Sequence, residues 1–332
     1  MQLLRKLLFP ISLIYALVVR VRNLFYDRGL FKSTSYETPI ICVGNLSVGG
    51  TGKTPMVEFL IRRLQKENKL AVLSRGYKRK TSGFIIANTN TEVEDIGDEP
   101  FQIFNKFQNV SVAVDADRRN GIARLDKTVN PDIIILDDAF QHRRVKPSHN
   151  ILLTAYNNLY VNDWYLPTGD LRDSKYASQR ADLIVITKCP ASISKKEKNT
   201  LRSQINPKAH QKVLFSYLEY DSKLYSGKGE IYLESLKDKK VTLVTGIANP
   251  QPLYQYVVTK GLRVEHLSFA DHHFFTENEL KSLRAKSIII TTEKDYMRLA
   301  GKIENLYYLP IKHAFFPEDA TVIEKYLSAI TK

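Results

Sequence analysis

Residues 47–54 read Ser47-Val48-Gly49-Gly50-Thr51-Gly52-Lys53-Thr54 and directly follow the apolar run Pro39-Ile40-Ile41-Cys42-Val43. A core-type strand that passes through closely spaced glycines into Lys-Thr has the pattern of a phosphate cradle. Glycines let consecutive backbone N–H groups turn toward one anion, and the helix that follows adds its positive amino-terminal end. In such a cradle Lys53 reaches the outer phosphates and the Thr54 hydroxyl holds Mg²⁺. The expected ligand is therefore a nucleoside triphosphate, bound by Ser47, Val48, Gly49, Gly50, Thr51, Gly52, Lys53 and Thr54. Counted back from Gly52, Ser47 stands where G-x-x-x-x-G-K-[ST] has its first glycine, so the loop departs from the standard pattern there. Met56, Phe59, Leu60 and Leu64 then form one apolar stripe, which predicts a helix over Thr54 to Leu64.

Beyond the loop, the pattern alternates. Strands are expected at Leu70 to Ser74, Val110 to Val114, Asp132 to Leu136, Asn150 to Thr154 and Ala181 to Thr187, with helices at Glu99 to Phe107 and Arg118 to Leu125. That rhythm predicts an α/β fold of the P-loop NTPase type, a parallel sheet with helices on both faces. Tyr156 to Ser178 has no period and reads as a long loop near the site. A second alternation begins at Val241, with helix Gln251 to Thr259 and strand Leu306 to Leu309 among its elements, and predicts a smaller α/β domain. The expected organisation is an amino-terminal membrane-associated helix (1–28), a P-loop domain (29–212), an antiparallel ribbon (213–238) and the smaller domain (239–332).

The chain has 332 residues, 43% of them hydrophobic, enough to bury a full core. Its two cysteines offer no disulfide framework. Lys+Arg 49 against Asp+Glu 35 gives 49 − 35 = +14, an excess that attracts polyanions or an anionic membrane surface. No zinc-finger spacing, RRM-type aromatic signature or alternating basic and aromatic block is present, so nucleic acid is not an expected partner. Leu7 to Val19 carries no charge and is bracketed by Arg5, Lys6, Arg20 and Arg22. Thirteen helical residues span about 20 Å against a hydrocarbon core of about 30 Å, so the segment is expected to lie on a bilayer rather than cross it. The competing readings are a signal peptide, against which no A-x-A-like cleavage site follows, and a buried core helix.

A phosphate-loop enzyme needs an acid at the end of a neighbouring strand to hold the metal. Ile133-Ile134-Ile135-Leu136-Asp137-Asp138 supplies two candidates, Asp137 and Asp138. Asp98, at a predicted helix start, fits an ordinary N-cap on spacing alone. Asp271-His272-His273 follows a predicted strand of the second domain and fits either a turn or a proton relay facing the first domain. Arg75, at the end of a core strand, fits either a phosphate contact or a structural ion pair, and Arg118 and Arg172 share that ambiguity. Thr187-Lys188 loosely matches a guanine-reading N/T-K-x-D, but Pro190 replaces the aspartate. Membrane-associated ATPase switches carry a lysine immediately before the paired glycines, where this chain has Val48.

With these residues collected, the chain resembles the tetraacyldisaccharide 4′-kinase family, the lipid A 4′-kinases of Gram-negative bacteria. The resemblance spans nearly the whole length. It rests on the basic, apolar amino terminus, Val43 to Pro55, Ser74-Arg75-Gly76-Tyr77, Gly97-Asp98-Glu99-Pro100, Asp137 to His142, Leu166-Pro167-Thr168-Gly169 with Arg172, Ala270-Asp271-His272 and Thr292-Glu293-Lys294-Asp295. The family has Ser or Thr where Ser47 stands. The resemblance implies transfer of the ATP γ-phosphoryl group, with Mg²⁺, to the 4′-hydroxyl of a tetraacyldisaccharide 1-phosphate at the cytoplasmic face of the inner membrane. It also implies Asp98 and His272 as a catalytic dyad beside Lys53, Asp137 and Asp138 as metal-binding acids, and Arg75, Tyr77 and Arg118 as sugar-phosphate contacts. The alternative is a membrane-associated ATPase switch acting through protein partners.

Overall fold

In the computed structural model, which describes residues 2–271 and 273–331, the apolar run before the glycines is strand β1 (Ile40–Asn45), buried at all six positions. Its side chains divide between two cores, Ile40 and Cys42 in one and Ile41 and Val43 in the other, as a strand covered on both faces requires. The strands around it are β2 (Leu70–Ser74), β3 (Ile85–Ile86), β4 (Ser111–Val114), β5 (Ile133–Asp137), β6 (His149–Ala155), β7 (Leu183–Thr187) and β8 (Lys212–Tyr220). A second sheet holds β9 (Lys223–Ser226), β10 (Gly229–Tyr232), β11 (Lys240–Thr245), β12 (Arg263–Ser268), β13 (Ile289–Thr292) and β14 (Leu306–Leu309). Then β15 (Ile311–Phe315) returns to the first.

Among the described residues the first sheet runs β15-β8-β7-β6-β1-β5-β2-β4-β3 and the second β10-β9-β14-β13-β11-β12. In the first, β4, β2, β5, β1, β6, β7 and β8 are parallel, and only the edge strands β3 and β15 are antiparallel. The β1–β5 register sets Val43 opposite Asp137, so the acid ends its strand beside the start of the phosphate loop. That shared carboxyl edge is where open parallel sheets bind ligands.

The expected boundaries are corrected at two places. The segment 213–238 is not a free ribbon. Its first strand, β8, pairs in parallel with β7 and buries Val213, Leu214 and Phe215, a consecutive apolar run suited to a covered strand; the antiparallel hairpin within the segment is β9–β10, and it belongs to the second sheet. Nor does the smaller unit extend from 239 to the carboxyl terminus. After Pro310 the chain pairs β15 with β8, and the helix Pro317–Ser328 buries Ile323 and Leu327 in the core that holds Ile41 and Val43. Two strands therefore link the halves, joined by the Asp221 N–H donating to the Pro310 carbonyl at 3.0 Å.

The amino-terminal helix spans Phe9–Asp27, 19 residues rather than the 13 uncharged ones, so its length is about 28 Å. By length and composition alone it is long enough to cross a membrane. Ser12, Val19 and Asn23 are its buried residues, and with Tyr15 they follow helical spacing along one face, which rests lengthwise on the protein. The opposite face leaves Ile11, Ile14, Leu17, Val18 and Val21 exposed.

Candidate active site

Between β1 and the helix Lys53–Leu64 the chain turns through Gly49 at φ 106° and Gly52 at φ 89°, a region side chains other than glycine rarely enter. Thr51 is held from both ends: Asn45 Nδ2 donates to its hydroxyl at 2.9 Å, and the Thr187 hydroxyl donates to its carbonyl at 2.8 Å. Gly52 caps the helix, and its carbonyl lies 2.9 Å from Nε2 of the fully buried His313 on β15. A carbonyl only accepts, so Nε2 carries the proton and Nδ1 accepts from the Ser216 hydroxyl at 3.1 Å. A Cβ at Gly52 would come within 2.9 Å of that ring, so glycine is required here by space as well as by φ.

Burial depresses the His313 imidazole from 6.5 to about 4. The unfolded chain therefore takes up this proton first as pH falls. The stability involved is complete above pH 6.5 and is lost as pH drops toward 4, about 3 kcal/mol over that interval. Denaturant unfolding of a His313→Gln variant should show a correspondingly smaller loss between pH 7 and pH 4.5 than the unsubstituted chain. Equal losses would contradict this account of His313.

Asp137 and Asp138 are adjacent in sequence and differ in environment. Asp137 is buried; its Oδ2 accepts from Ser74 at 3.2 Å, and its Oδ1 is a buried oxygen that no hydrogen bond satisfies. Burial, then the charges of Glu99 and Asp138, raise its carboxyl to about 7 against the opposing pull of Lys53. A buried carboxylate oxygen without a donor beside a phosphate cradle fits a cation, and Thr54, the second residue of the helix, supplies a hydroxyl on the same edge. Asp138, at φ 48°, is already engaged. The Arg172 guanidinium grips both its oxygens and also Asn45 Oδ1, and Lys53 Nζ lies 3.8 Å away. Burial opposes its ionisation, but Lys53 and Arg172 outweigh that and lower its pKa.

Asp98 is the first residue of the helix Asp98–Lys106, and the cap position is taken by Gly97 at φ 87°. The buried Asp98 carboxylate is paired with Arg298, Nε to Oδ1 at 3.0 Å and the second nitrogen to Oδ2. Arg298 comes from the other half of the molecule, on the helix Glu293–Leu299, and donates also to the His273 carbonyl at 3.0 Å. One guanidinium thus links Asp98 to the chain next to position 272. His272 itself lies outside the described residues. The same two helices meet again where Lys106 contacts both Glu293 and, at 2.7 Å, the buried Glu58 of the phosphate-loop helix. Beside them a cavity of about 670 Å³ opens between the halves.

The remaining expected contacts separate. Arg75 and Tyr77 are exposed at the carboxyl end of β2. Arg118 is not on an open surface: it is 2% exposed and donates to the Asp115 and Ala116 carbonyls at 2.8 and 3.3 Å. Its charge faces Asp137 and Asp138, and burial lowers its pKa. Sequence spacing did not single out Arg298, His313 or the role of Arg172. The motif Thr292 to Asp295 is structural here: Thr292 caps the helix that carries Arg298, and Asp295 accepts from the Gly246 N–H at 2.8 Å.

Residues 4–331 match the family model described as tetraacyldisaccharide-1-P 4′-kinase. Proteins named tetraacyldisaccharide 4′-kinase from Flavobacterium johnsoniae and Flavobacterium psychrophilum are 47% and 45% identical to this chain. They cover 95% and 99% of it and 94% and 98% of their own lengths. A crystal structure of an "apo" form of LpxK from Aquifex aeolicus in complex with ATP matches with a TM-score of 0.80 at 32% identity, over 99% of this chain and 100% of that one. The chain belongs to the tetraacyldisaccharide-1-P 4′-kinase family.

Proposed function

We propose that this chain transfers the γ-phosphoryl group of ATP to the 4′-hydroxyl of a tetraacyldisaccharide 1-phosphate, forming lipid IVA in lipid A biosynthesis. The observation that carries the reading is a phosphate cradle whose lysine and strand-end acids lie on one sheet edge, with an aspartate clamped by an arginine from the other half. Family membership favours this kinase over the switch acting through partners.

Phosphoryl transfer asks the protein chiefly for position and charge. Backbone N–H groups of the loop from Gly49 to Thr54 hold the β- and γ-phosphates, and Lys53 swings from Asp138 to the leaving oxygens. Thr54 and Asp137 would hold Mg²⁺, with Asp138 oriented alongside by Arg172, and the bound ion would supply positive charge to the transferring group. Asp137 is the principal acid, because its Oδ1 has no other partner whereas Asp138 is engaged by Arg172. Asp98 and His272 act jointly on the sugar hydroxyl, removing its proton late in the transfer. Arg75 and Tyr77 meet the sugar phosphate. Arg118 acts from beneath, holding the charge of the acids.

The acceptor's acyl chains remain in the inner membrane. The amino-terminal helix lies against the cytoplasmic face as a peripheral or monotopic anchor, its exposed apolar side in the lipid and Arg20 near the headgroups; the net charge of +14 assists. Nucleic acid is not a partner in this reading. Incubation with γ-labelled ATP and the tetraacyldisaccharide 1-phosphate should move label into the organic extract. Label recovered only as inorganic phosphate would overturn the assignment. Deleting residues 1–22 should weaken vesicle binding, most at low salt, and unchanged binding would remove the anchor.

A further inference from the structure

Residues 163–173 are bonded on one side to the phosphate loop and on the other to the amino-terminal helix. Toward the loop, the Ser47 hydroxyl donates to Asp163 Oδ2 at 3.0 Å, the Val48 N–H to the Asp170 carbonyl at 2.7 Å, and the Arg172 N–H to the Leu46 carbonyl at 2.8 Å. Asp163 is itself held, its Oδ1 accepting from the N–H groups of Trp164 at 2.8 Å and Asp170 at 3.1 Å. The segment is tightly folded: a Cβ at Gly169 would lie 2.2 Å from the Trp164 carbonyl oxygen.

Toward the amino terminus, Arg5, on the short helix Gln2–Leu7 that leads into Phe9–Asp27, donates its guanidinium to the Pro167 carbonyl at 2.9 Å and pairs with Asp170 at 2.7 Å. The Ser12 hydroxyl accepts from the Thr168 N–H at 3.1 Å and bonds the Thr168 hydroxyl at 2.8 Å, and the Tyr15 hydroxyl donates to the Arg172 carbonyl at 3.1 Å. Asp170 is shared. Its side chain holds Arg5, and its carbonyl holds the phosphate loop.

We propose that residues 163–173 form a strut through which the seated amino-terminal helix fixes the phosphate loop in its ATP-binding shape, with Asp163 as the positioning residue at the loop end. The proposal rests on the reading of residues 47–54 as the ATP site. It gives the departure from the standard loop a physical cause: a glycine at position 47 would carry no hydroxyl for Asp163. Phosphate binding by backbone N–H groups depends on the directions of the peptide planes. A loop released from the strut spends less time in the competent shape, and apparent affinity falls by that fraction. Loss of one such hydrogen bond corresponds to about a fivefold change. By linkage, ATP must steady the helix by the same factor.

The test is calorimetric binding of a non-hydrolysable ATP analogue to the full chain in detergent micelles, without acceptor. Ser12→Ala and Arg5→Gln alter the helix end of the strut, away from the nucleotide, and Ser47→Gly restores the standard loop. Each should weaken binding about fivefold or more with an unchanged unfolding midpoint. Ser12→Thr and Ser47→Thr, which keep the hydroxyl, should restore it. For the helix-side variants the KM for ATP should rise while turnover at saturating ATP holds. Should one of them fail to fold, Tyr15→Phe carries the same test. Unchanged affinity in the helix-side variants overturns the strut, and full affinity in Ser47→Gly overturns the role of Asp163. If the unsubstituted chain fails to bind the analogue, it is the ATP-site reading that falls.

Discussion

Replacing Lys53 by alanine should lower phosphoryl transfer about a thousandfold or more and leave the fold intact. The rate effect follows from removing a preorganised cation from oxygens on which charge develops, in a transfer that depends mainly on charge and position. The intact fold follows from the surroundings. Lys53 Nζ is 3.8 Å from Asp138, whose carboxylate keeps both contacts to Arg172 when the lysine is gone. The side chain also contributes nothing to the helix stripe of Met56, Phe59, Leu60 and Leu64, all buried in the core that holds Ile41 and Val43. Turnover and the unfolding midpoint should therefore dissociate in this variant. Near-normal turnover would remove the cradle from the mechanism.

The second large effect concerns Asp98. Asp98→Ala and His272→Ala should each lower turnover by about two to four orders of magnitude, and the double variant little further, because residues that act as a unit lose their function together. Fully multiplicative losses would argue against a joint role. Arg298 refines this expectation. Its guanidinium holds the Asp98 carboxylate in place, and it binds the His273 carbonyl at the same time. Arg298→Ala should lower turnover and also destabilise the protein by about 3 kcal/mol, since it takes the bidentate cation from a buried carboxylate. Adding Asp98→Ala to Arg298→Ala should recover stability without recovering turnover. Thermal unfolding and rate measurements on the four proteins check both halves of that statement.

Local pattern carried much of the fold. The strand Leu70–Ser74 and the helix Gln251–Thr259 have the bounds their periodicity predicts, and the helix after the phosphate loop starts one residue earlier. The acid after four apolar residues falls on β5 beside the cradle as expected. What escaped was set by long-range contact. β15 has no apolar run of its own, since Lys312 and His313 interrupt it, and it becomes a strand only because β8 offers an edge. The helix Glu293–Leu299 has seven residues, too few to show a stripe, so Arg298 could not be placed against Asp98, 200 positions away. Ser47 was legible as an irregularity, but its partner Asp163 lies in a segment without period.

The position of the transferred phosphate distinguishes a 4′-kinase from any other use of ATP. A proton–phosphorus correlation spectrum of the purified product should show a new phosphomonoester coupled to the proton at the 4′ carbon of the distal sugar, alongside the original 1-phosphate. Coupling to any other sugar proton, or a spectrum with the 1-phosphate alone after ATP has been consumed, would contradict the 4′-kinase reading.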